Sequence, residues 1–494
     1  MDKKSRRLLI LTITIVCLTL ASIFLLSRYT NLPFTCHAIF IRGPFLQNAQ
    51  TNRITICWET DEPVPATVKV FEQNGKILRS VKTASKALRQ EVSIDELEAG
   101  EKYRYEVKSR AKSSTPLGGT FCTPPPPGTP IEFVAWGDSR NHPHTCEEIA
   151  KSILKIGVPF SVHTGDLVGG KTGLSRWNPQ FFEPCRDLLR SSVIWPAIGN
   201  HELEKDPEEH DGRIAFTQIF ALPHTEHYYS FDYGDAHFLV LDSNHDFWNN
   251  QAQYHFAAAD LEATRARWRF AVWHHPAFSS GSYSNETYMR TRYCPLMARH
   301  NVDVIITGHD HNYQRSKPIK HHYEPNQKHH YIHLVSGGGG ARLYSVREGE
   351  LWHEKGLPTN HYIHFRIDGD LLQAKVVDLD DQVIDTFTID KSKPTTDAVA
   401  YELIEMQRRN VITVNVDVKG AKLQPFILDT NQTTGTIRHQ LTNPLPDPIT
   451  IITRTGPSEG VALEPKTITK TMPANSATII EHSFTITDPE KILP

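Results

Sequence analysis

The sequence predicts an α/β core flanked by two β-rich regions. Strand-length apolar runs alternate with segments of helical periodicity between residues 131 and 390, which is typical of an α/β domain. On either side, residues 38–123 and 395–494 show two-residue alternation and turn signals with little helical periodicity. A chain of 494 residues is also too long for a single hydrophobic core.

The composition is that of an ordinary globular protein. Hydrophobic residues make up 39% of the chain and charged residues 22%, so wholesale disorder is excluded. The formal net charge is -3, and no basic stripe stands out beyond the N-terminus. We therefore expect no nucleic-acid partner.

The N-terminus predicts a membrane anchor. Basic residues between Lys3 and Arg7 precede an uncharged run from Leu8 to Ser27. A helix needs roughly 20 residues to cross a bilayer, which matches the length of this run. The apolar core of a cleaved signal peptide, the alternative, is usually shorter, about 7–15 residues. Residues 1–30 are therefore predicted to be a signal-anchor with a cytoplasmic basic end, which places the remainder in the periplasm or extracellular space.

The seven cysteines are compatible with an oxidising compartment. Cys17 lies in the apolar run, and the other six form an even number that permits disulfides. Pairing cannot be read from sequence. Cys57 with Cys122 and Cys146 with Cys185 are hypotheses, and free buried thiols are the alternative.

Residues 38–123 predict a small β-sandwich. Arg53–Thr60, Ala66–Phe71 and Tyr103–Val107 alternate as half-buried strands do. The position of Trp58 on an early strand resembles that in fibronectin type III-like domains. A proline-rich linker, residues 124–130, follows and marks the clearest domain boundary.

Residues 131–390 predict the α/β domain. Residues 145–155, 181–189 and 257–268 have helical character, and apolar strands lie between them. In such sheets, functional residues lie at the carboxyl ends of the strands. A second β-sandwich of unknown role is expected from residue 395 to 494.

Several of these strands end in a residue that could hold a metal ion. Four apolar runs break into glycine followed by Asp, Asn or His, and a fifth ends directly in histidine; together they supply Asp138, Asp166, Asn200, His274, His309 and His311. Two metal ions about 3.5–4 Å apart favour such mixed imidazole and oxygen ligands, with one carboxylate bridging them. An Asn ligand would add no negative charge and leave the ions Lewis-acidic.

In order, these motifs resemble those of a known superfamily. Gly137-Asp138, Gly165-Asp166, Gly199-Asn200-His201-Glu202, His274-His275-Pro276 and Gly308-His309-Asp310-His311 are similar to the motifs of calcineurin-like metallophosphoesterases, and the chain resembles the purple acid phosphatase branch over residues 40 to 390. The resemblance implies an α/β/β/α sandwich and a phosphatase that hydrolyses phosphate esters by attack of a metal-bound hydroxide.

The resemblance also implies roles for individual residues. Asp138, Asp166 and His311 would hold one metal ion, and Asp166 would bridge to a second. Asn200, His274 and His309 would complete the second site. His201 would stand beside the substrate, orienting the phosphate or protonating the leaving group. The two ions would be Fe, Mn or Zn.

Two departures from the family pattern concern the first metal ion. Purple acid phosphatases carry an iron-binding tyrosine three residues after the bridging aspartate, where this chain has Gly169. Two residues after Asp138, the wider superfamily has a histidine, whereas this chain has Arg140. Water, His142 or His144 would complete the shell. Arg140 is predicted to contact the substrate phosphate, because a guanidinium suits bidentate oxyanion binding; a structural ion pair is the alternative.

A third departure concerns proton donation. The loop after Pro276, residues 277–285, lacks the general-acid histidine of plant-type relatives. Proton donation would then fall to His201, His275 or water. Gly337–Gly340 could cradle a phosphate through its N–H groups, but a tight turn is the simpler interpretation.

The sequence thus predicts an exported, membrane-anchored, dinuclear metal-dependent phosphatase acting on phosphate esters. A phosphodiesterase or nucleotidase with the same site is one alternative. A non-catalytic cell-surface binding protein built on the same core is an alternative of a different class.

Overall fold

A computed structural model describes residues 40–83, 87–109, 116–169, 174–203, 212–244, 251–283, 287–321, 329–348, 350–395, 398–401, 404, 434–443, 449–454, 461–473 and 476–487. The predicted anchor, Cys17, Cys36 and the strand expected at 411–418 lie outside these residues. Within them, no helix is long and apolar enough to cross a membrane.

The strands are numbered in chain order. Those of the N-terminal region are β1 Phe40–Gln50, β2 Arg53–Thr60, β3 Ala66–Phe71, β4 Ile77–Lys82, β5 Arg89–Ile94, β6 Lys102–Ser109 and β7 Leu117–Cys122. Those of the α/β region are β8 Ile131–Trp136, β9 Phe160–His163, β10 Val193–Pro196, β11 Tyr229–Tyr233, β12 Ala236–Val240, β13 Trp268–Val272, β14 Val304–Thr307, β15 Tyr313–Ser316, β16 Ile319–Lys320, β17 Ile332–Ser336, β18 His353–Leu357, β19 His361–Asp368, β20 Leu371–Asp378 and β21 Val383–Asp390. The remaining strands are β22 Val399–Ala400, β23 Thr434–Asn443, β24 Ile449–Arg454, β25 Val461–Glu464, β26 Thr467–Met472 and β27 Ser476–Ile486.

The helices whose bounds the structure describes lie in the α/β region. They are α1 Pro143–Ile156, α2 Leu174–Trp177, α3 Arg186–Leu189, α4 Gly212–Ile219, α5 Gln251–Ala263 and α6 Cys294–Arg299. Two π-helical turns, Asn178–Phe182 and Met289–Tyr293, and a 3₁₀ turn, His201–Leu203, accompany them.

The N-terminal region contains two antiparallel sheets, β1-β2-β5 and β4-β3-β6-β7. Alternate residues of β6 are buried, as expected of strands with one face on a core. This region packs directly on the α/β region: Phe45 lies 5.0 Å from Phe182 between ring centroids. The Gln47 amide also donates to the Ile194 carbonyl of β10 (2.8 Å).

Two mixed sheets form the α/β region. One has the order β10-β9-β8-β19-β20-β21 and the other β11-β12-β13-β14-β17-β15-β18. Strands β8, β9 and β10 are mutually parallel, as are β12, β13, β14 and β17. The predicted α/β class is therefore correct.

Aromatic side chains from both sheets form the core between them. Phe133 of β8 stacks on Phe365 of β19 at 4.7 Å and meets Phe238 and Phe270 of the other sheet edge-on at 5.1 and 5.2 Å. All four rings are fully buried. Because interiors pack densely, this layer fixes the spacing of the sheets and hence of the loops at their edge.

Two helix predictions are wrong in extent. The helix expected at 257–268 is α5, which begins at Gln251 and ends at Ala263. Trp268 instead begins β13 and pairs with Ala236, so sheet pairing overrides the local helical pattern. The segment expected to be helical at 181–189 is divided between a π-helical turn and α3, with Pro184 between them.

The C-terminal region contains a three-stranded sheet, β23-β27-β25, and a two-stranded sheet, β24-β26. The pairings within these two sheets are antiparallel, whereas β22 pairs in parallel with β16 of the α/β region.

The described cysteines are free thiols, so neither predicted disulfide is formed. Cys57 lies on β2 and Cys122 on β7, which belong to different sheets. Cys146 and Cys185 do meet, with their sulfur atoms 3.3 Å apart in the core. The second hypothesis thus identified a pair of neighbouring thiols, but not a bond.

Candidate metal centre

The loops that follow five parallel strands meet at one edge of the two sheets. Strands β8, β9 and β10 lead into the loops of Asp138, Asp166 and Asn200. Strands β13 and β14 of the other sheet lead into His274 and into the His309–His311 turn. The structure therefore brings all six predicted ligands to one place.

Unusual backbone conformations aim these side chains. Asp138, Asp166 and His309 have positive φ angles of 57°, 54° and 69°, a region that non-glycine residues seldom adopt. Such residues cost on the order of 1–3 kcal/mol each and persist where the surroundings hold them. The glycine before His309 is required for a different reason: a Cβ on Gly308 would overlap Asp138 Oδ2 and the Thr164 side chain.

Asp138, Asp166 and His311 form the first group. Their ligand atoms lie within 4.8 Å of one another, and all three residues are buried. His311 Nε2 is 3.6 Å from Asp138 Oδ1. The backbone N–H of His309 donates to Asp138 Oδ2 (2.9 Å), which fixes that carboxylate.

The second group contains more imidazoles and is more open. His274 Nε2 lies 3.0 Å from Asn200 Oδ1 and 3.2 Å from His309 Nδ1. It is also 3.3 Å from Asp166 Oδ1, so the Asp166 carboxylate lies between the two groups. His275, which was not predicted as a ligand, joins His274 and His309 with ligand atoms within 4.8 Å.

Backbone carbonyls orient two of the imidazoles. The Nδ1 of His274 donates to the Thr164 carbonyl (2.8 Å), and the Nδ1 of His311 donates to that of Arg342 (2.7 Å). Each hydrogen bond leaves Nε2 facing the centre as an acceptor. Histidine ligands of metal ions are usually held by such a contact on the other nitrogen.

Burial keeps the imidazoles neutral. It lowers the pKa of His309 to about 3 and that of His311 to about 4. Burial also lowers the pKa of His274. A histidine must be neutral to bind a metal ion, so the lowered pKa values favour the ligating form of all three.

The carboxyl groups are crowded. Burial and the neighbouring Asp166 raise the pKa of Asp138, and the same two causes raise that of Glu202 to about 8. Burial alone would also raise the pKa of Asp166, but His274, His201 and Arg140 outweigh it and lower that pKa. Carboxyls that repel each other beside neutral imidazoles make a donor set that fits metal cations.

Arg140 supplies positive charge to the first group. Its Nε donates to Asp166 Oδ2 (3.0 Å), and its Nη2 lies 3.3 Å from His311 Nε2. Only 8% of the residue is exposed. The structure therefore places Arg140 in an ion pair with Asp166, which was the alternative to the predicted phosphate contact.

The departures at Arg140 and Gly169 are spatially linked. A Cβ placed on Gly169 would lie 3.0 Å from Arg140 Cδ and 2.8 Å from Asn141 Oδ1. A larger side chain at position 169 would thus compete with Arg140 for the same space.

His142 and His144 do not join the centre. Both are exposed, and His144 pairs instead with Glu148 of α1 at 3.4 Å. His201, in contrast, lies beside Asp166: its Nε2 is 3.8 Å from Asp166 Oδ2. Its backbone N–H donates to Asp166 Oδ1 (3.0 Å), and 21% of its side chain is exposed.

Glu202 is a functional residue to which the sequence interpretation gave no role. Its fully buried carboxyl accepts the backbone N–H groups of Asp166 (2.9 Å), Gly199 (2.7 Å) and Val168 (3.2 Å). Glu202 therefore ties together the loops that carry Asp166 and Asn200. The position of Glu202 within the Gly199–Glu202 motif could have indicated this role.

Asp310 was also overlooked, although it separates the two ligand histidines. Its buried carboxyl accepts hydrogen bonds from the Ser279 hydroxyl and from the backbone N–H groups of Ser282 (3.0 Å) and Tyr283 (3.3 Å). Asp310 thus holds the loop after Pro276 against the metal centre.

Two tyrosines line the centre. The Tyr283 ring lies 4.3 Å from that of His309, and the Tyr344 ring stacks on His311 at 4.3 Å with a 16° tilt. The two tyrosines contact each other at 5.6 Å between centroids. A hydrogen bond with Tyr344, together with burial, raises the pKa of Tyr283 to about 12.

Gly337–Gly340 forms a packing turn. Gly337 N–H donates to the Asn312 carbonyl (3.2 Å), and Gly339 N–H donates to that of Gly137 (2.8 Å). These groups hold the turn against the Asp138 loop, which favours the tight-turn interpretation over a phosphate cradle.

Comparison with known proteins gives a consistent assignment. The family model described as calcineurin-like phosphoesterase matches residues 135–313. Purple acid phosphatase 21 of Arabidopsis thaliana is 30% identical over 242 residues, which cover 46% of this chain and 53% of that protein. Purple acid phosphatase 22 of the same plant is 29% identical over 270 residues, covering 51% and 58%. The chain thus spans about half the length of these relatives.

Solved structures show the same fold. Purple acid phosphatase PPD1 from yellow lupin (Lupinus luteus) seeds matches 70% of this chain and 74% of its own, with a TM-score of 0.60 and 22% identity. PhoD matches 74% of this chain and 94% of its own, with a TM-score of 0.55 and 15% identity. Some matched relatives, such as purple acid phosphatase 27 of Arabidopsis thaliana, carry the word inactive in their names.

Motif order, the two-sheet core and the ligand geometry lead to the same assignment as these comparisons. The chain contains a metallophosphoesterase domain of the calcineurin-like superfamily, with purple acid phosphatases among its relatives.

Proposed function

We propose that this protein is a dinuclear metal-dependent phosphatase that hydrolyses phosphate esters. The observation that carries the proposal is the convergence of Asp138, Asp166 and His311 with His274 and His309 in two adjoining groups of ligand atoms. Asp166 lies between them and is the residue best placed to serve both.

Both the metal-ligating residues and the groups that hydrogen-bond to them would contribute to this reaction. Two metal ions held there would act as Lewis acids toward the phosphoryl oxygens and lower the pKa of a bound water. Asn200 would contribute a neutral oxygen ligand, so the site would retain more positive charge than a carboxylate would leave. The buried carbonyl and carboxyl contacts keep these side chains in position before substrate arrives.

His201 is the residue best placed to act on the substrate. Its side chain is part-exposed beside Asp166, whereas His274 and His311 are buried and committed to the centre. We assign it the role of donating a hydrogen bond, or a proton, from its imidazole to the phosphate or the leaving oxygen. His275 is less suited to contact substrate, because it is only 6% exposed.

The proposal extends to location. We propose that residues 8–27 anchor the protein in a membrane and that the catalytic part lies in the periplasm or extracellular space. The support is the uncharged run itself and the basic residues before it. N-terminal sequencing of the mature protein tests the anchor: an intact N-terminus is expected, and a start near Asn31 would show cleavage.

Hydrolysis and metal content test the function together. The purified chain, supplied with Mn, Zn or Fe, is expected to bind close to two metal ions and to hydrolyse p-nitrophenyl phosphate. Hydrolysis of bis-p-nitrophenyl phosphate in preference to the monoester would favour the phosphodiesterase alternative. Fewer than one ion per chain, with neither ester cleaved, would instead favour a non-catalytic binding protein.

A further inference from the structure

We propose that Tyr283 and Tyr344 form an aromatic subsite that binds the organic group of the ester, favouring a flat aromatic ring next to the phosphate. This inference rests on the proposed function for its substrate, but the subsite itself is argued from the contacts of the two rings. It would make this pair the specificity-determining element of the centre.

The first observation is the position of the two rings. Tyr283 packs on His309, and Tyr344 packs on His311, so each tyrosine lies directly beside one of the two histidines of the Gly308–His311 turn. The rings meet at 72°, a geometry close to the edge-to-face arrangement that aromatic groups prefer. A phosphate at the metal centre would therefore present its organic substituent near these rings.

The second observation is exposure. Tyr283 is 40% exposed, although His274 and Asp138 of the metal centre are fully buried. An exposed aromatic ring next to a buried polar centre presents apolar surface where an incoming molecule would cover it. Stacking on such a ring is favourable for aromatic groups in particular, because the quadrupoles of the two rings interact.

The third observation is that the subsite is preformed. The Asp310 carboxyl accepts the backbone N–H of Tyr283 and that of Ser282. Tyr344 N–H donates to the His311 carbonyl (3.0 Å). Arg347 joins the two segments, since its backbone N–H donates to the Ser280 carbonyl (2.8 Å) and its guanidinium to that of Gly281 (3.1 Å). A ligand would bind to a platform that is already ordered, so little conformational entropy would be lost.

Binding of non-hydrolysable ligands tests the subsite without relying on catalysis. Benzylphosphonate and propylphosphonate share the phosphonate head and differ in the organic group. Their dissociation constants would be measured by calorimetry on the full-length, metal-loaded chain. We expect Tyr283→Ala to weaken benzylphosphonate binding about 3- to 10-fold, the range expected for one aromatic contact, and propylphosphonate binding much less.

Two further variants serve as controls. Tyr283→Phe keeps the ring and should keep the preference for the benzyl compound. Tyr254→Ala removes a half-buried tyrosine of α5 that packs on Arg292 and Tyr293. This variant should also keep the preference for the benzyl compound. A Tyr283→Ala variant with an unchanged ratio of the two constants would overturn the subsite, and so would a wild-type protein that binds neither compound.

The outcomes separate this inference from the proposed function. If p-nitrophenyl phosphate is hydrolysed but the ratio does not respond to Tyr283→Ala, the phosphatase stands and the subsite fails. If no ester is hydrolysed but the ratio responds as expected, the subsite stands and the phosphatase fails.

Discussion

Two clusters of histidine and aspartate, each containing a buried histidine, differ in how their charges are arranged. In the first, His237 lies between two carboxylates, with its Nδ1 2.8 Å from Asp232 Oδ1 and its Nε2 2.8 Å from Asp260 Oδ2. In the second, the metal centre, His274, His309 and His311 face each other and the carboxyls of Asp138 and Asp166.

The pKa values move in opposite directions in the two clusters. Burial disfavours protonated His237, but hydrogen bonds to Asp232 and Asp260 outweigh it and raise the pKa of His237 to about 9. At the metal centre, burial lowers the pKa of His309 to about 3, while burial and Asp166 raise that of Asp138. A histidine held between two carboxylates indicates a structural cluster, whereas imidazoles of lowered pKa beside crowded carboxyls indicate a cation site.

Asp166→Asn should break the metal centre most completely. The change removes the charge that lies between the two ligand groups and leaves the shape of the side chain. Removing a residue that only hydrogen-bonds to a metal ligand lowers metal affinity or activity about 10- to 100-fold. Loss of the ligand Asp166 itself should therefore lower activity by more than about 100-fold. Hydrolysis rates and metal content of the variant would be measured together. An enzyme with near-normal metal content and rate would contradict the bridging assignment.

Glu202→Gln should lower metal affinity, although Glu202 is not itself assigned as a metal ligand. A glutamine offers one acceptor oxygen where Glu202 uses both of its carboxyl oxygens to accept three backbone N–H groups. We expect metal affinity to fall about 10- to 100-fold, the range for supports of metal ligands. Metal titration would measure it, with the exposed Glu183→Gln as the matched control. Equal affinities in the two variants would argue against a role for Glu202 in holding the loops.

Arg140→Ala should have a smaller effect than Asp166→Asn and should act through the metal centre. Arg140 contacts Asp166 and His311 rather than open space, so its loss should loosen these ligands. We expect a fall in kcat of about 10-fold, the low end for an outer contact, with KM little changed. Steady-state kinetics distinguishes the two roles. A raised KM with intact metal affinity would restore the predicted phosphate contact.

The His237 cluster should respond to pH through stability rather than activity. The folded-state pKa of about 9 lies above the ordinary value of 6.5, so its stabilising contribution is full below pH 6.5 and is lost as pH rises toward 9. Melting temperatures of wild type and His237→Gln would be compared across this range. The variant should lose less stability with rising pH, and the exposed His144→Gln should behave as wild type. Parallel curves for His237→Gln and wild type would contradict the ion-pair account.

The sequence predicted the parts of the centre that are encoded locally. Each ligand follows a strand and most follow a glycine, so a short pattern carries both the chemistry and the turn. A Cβ on Gly137, Gly165 or Gly308 would overlap neighbouring atoms, which explains why glycine recurs before these ligands.

The missed features depend on contacts between distant segments. The Arg140 side chain packs next to Gly169, and neither local sequence predicts this proximity. Asp310 acts on a loop about 30 residues away, through Ser279 and Tyr283. The wrong boundaries of α5 have the same origin, because pairing of Trp268 with Ala236 in the sheet decides where the helix cannot continue.

We propose that this edge of the two sheets holds two metal ions through one shared carboxylate, that of Asp166. Elemental analysis of the purified chain and of Asp166→Asn, prepared side by side with the same metals, would measure the number of ions that each binds. We expect close to two ions per wild-type chain and a loss from both sites in the variant. One ion per wild-type chain, or the loss of a single ion on changing Asp166, would contradict it.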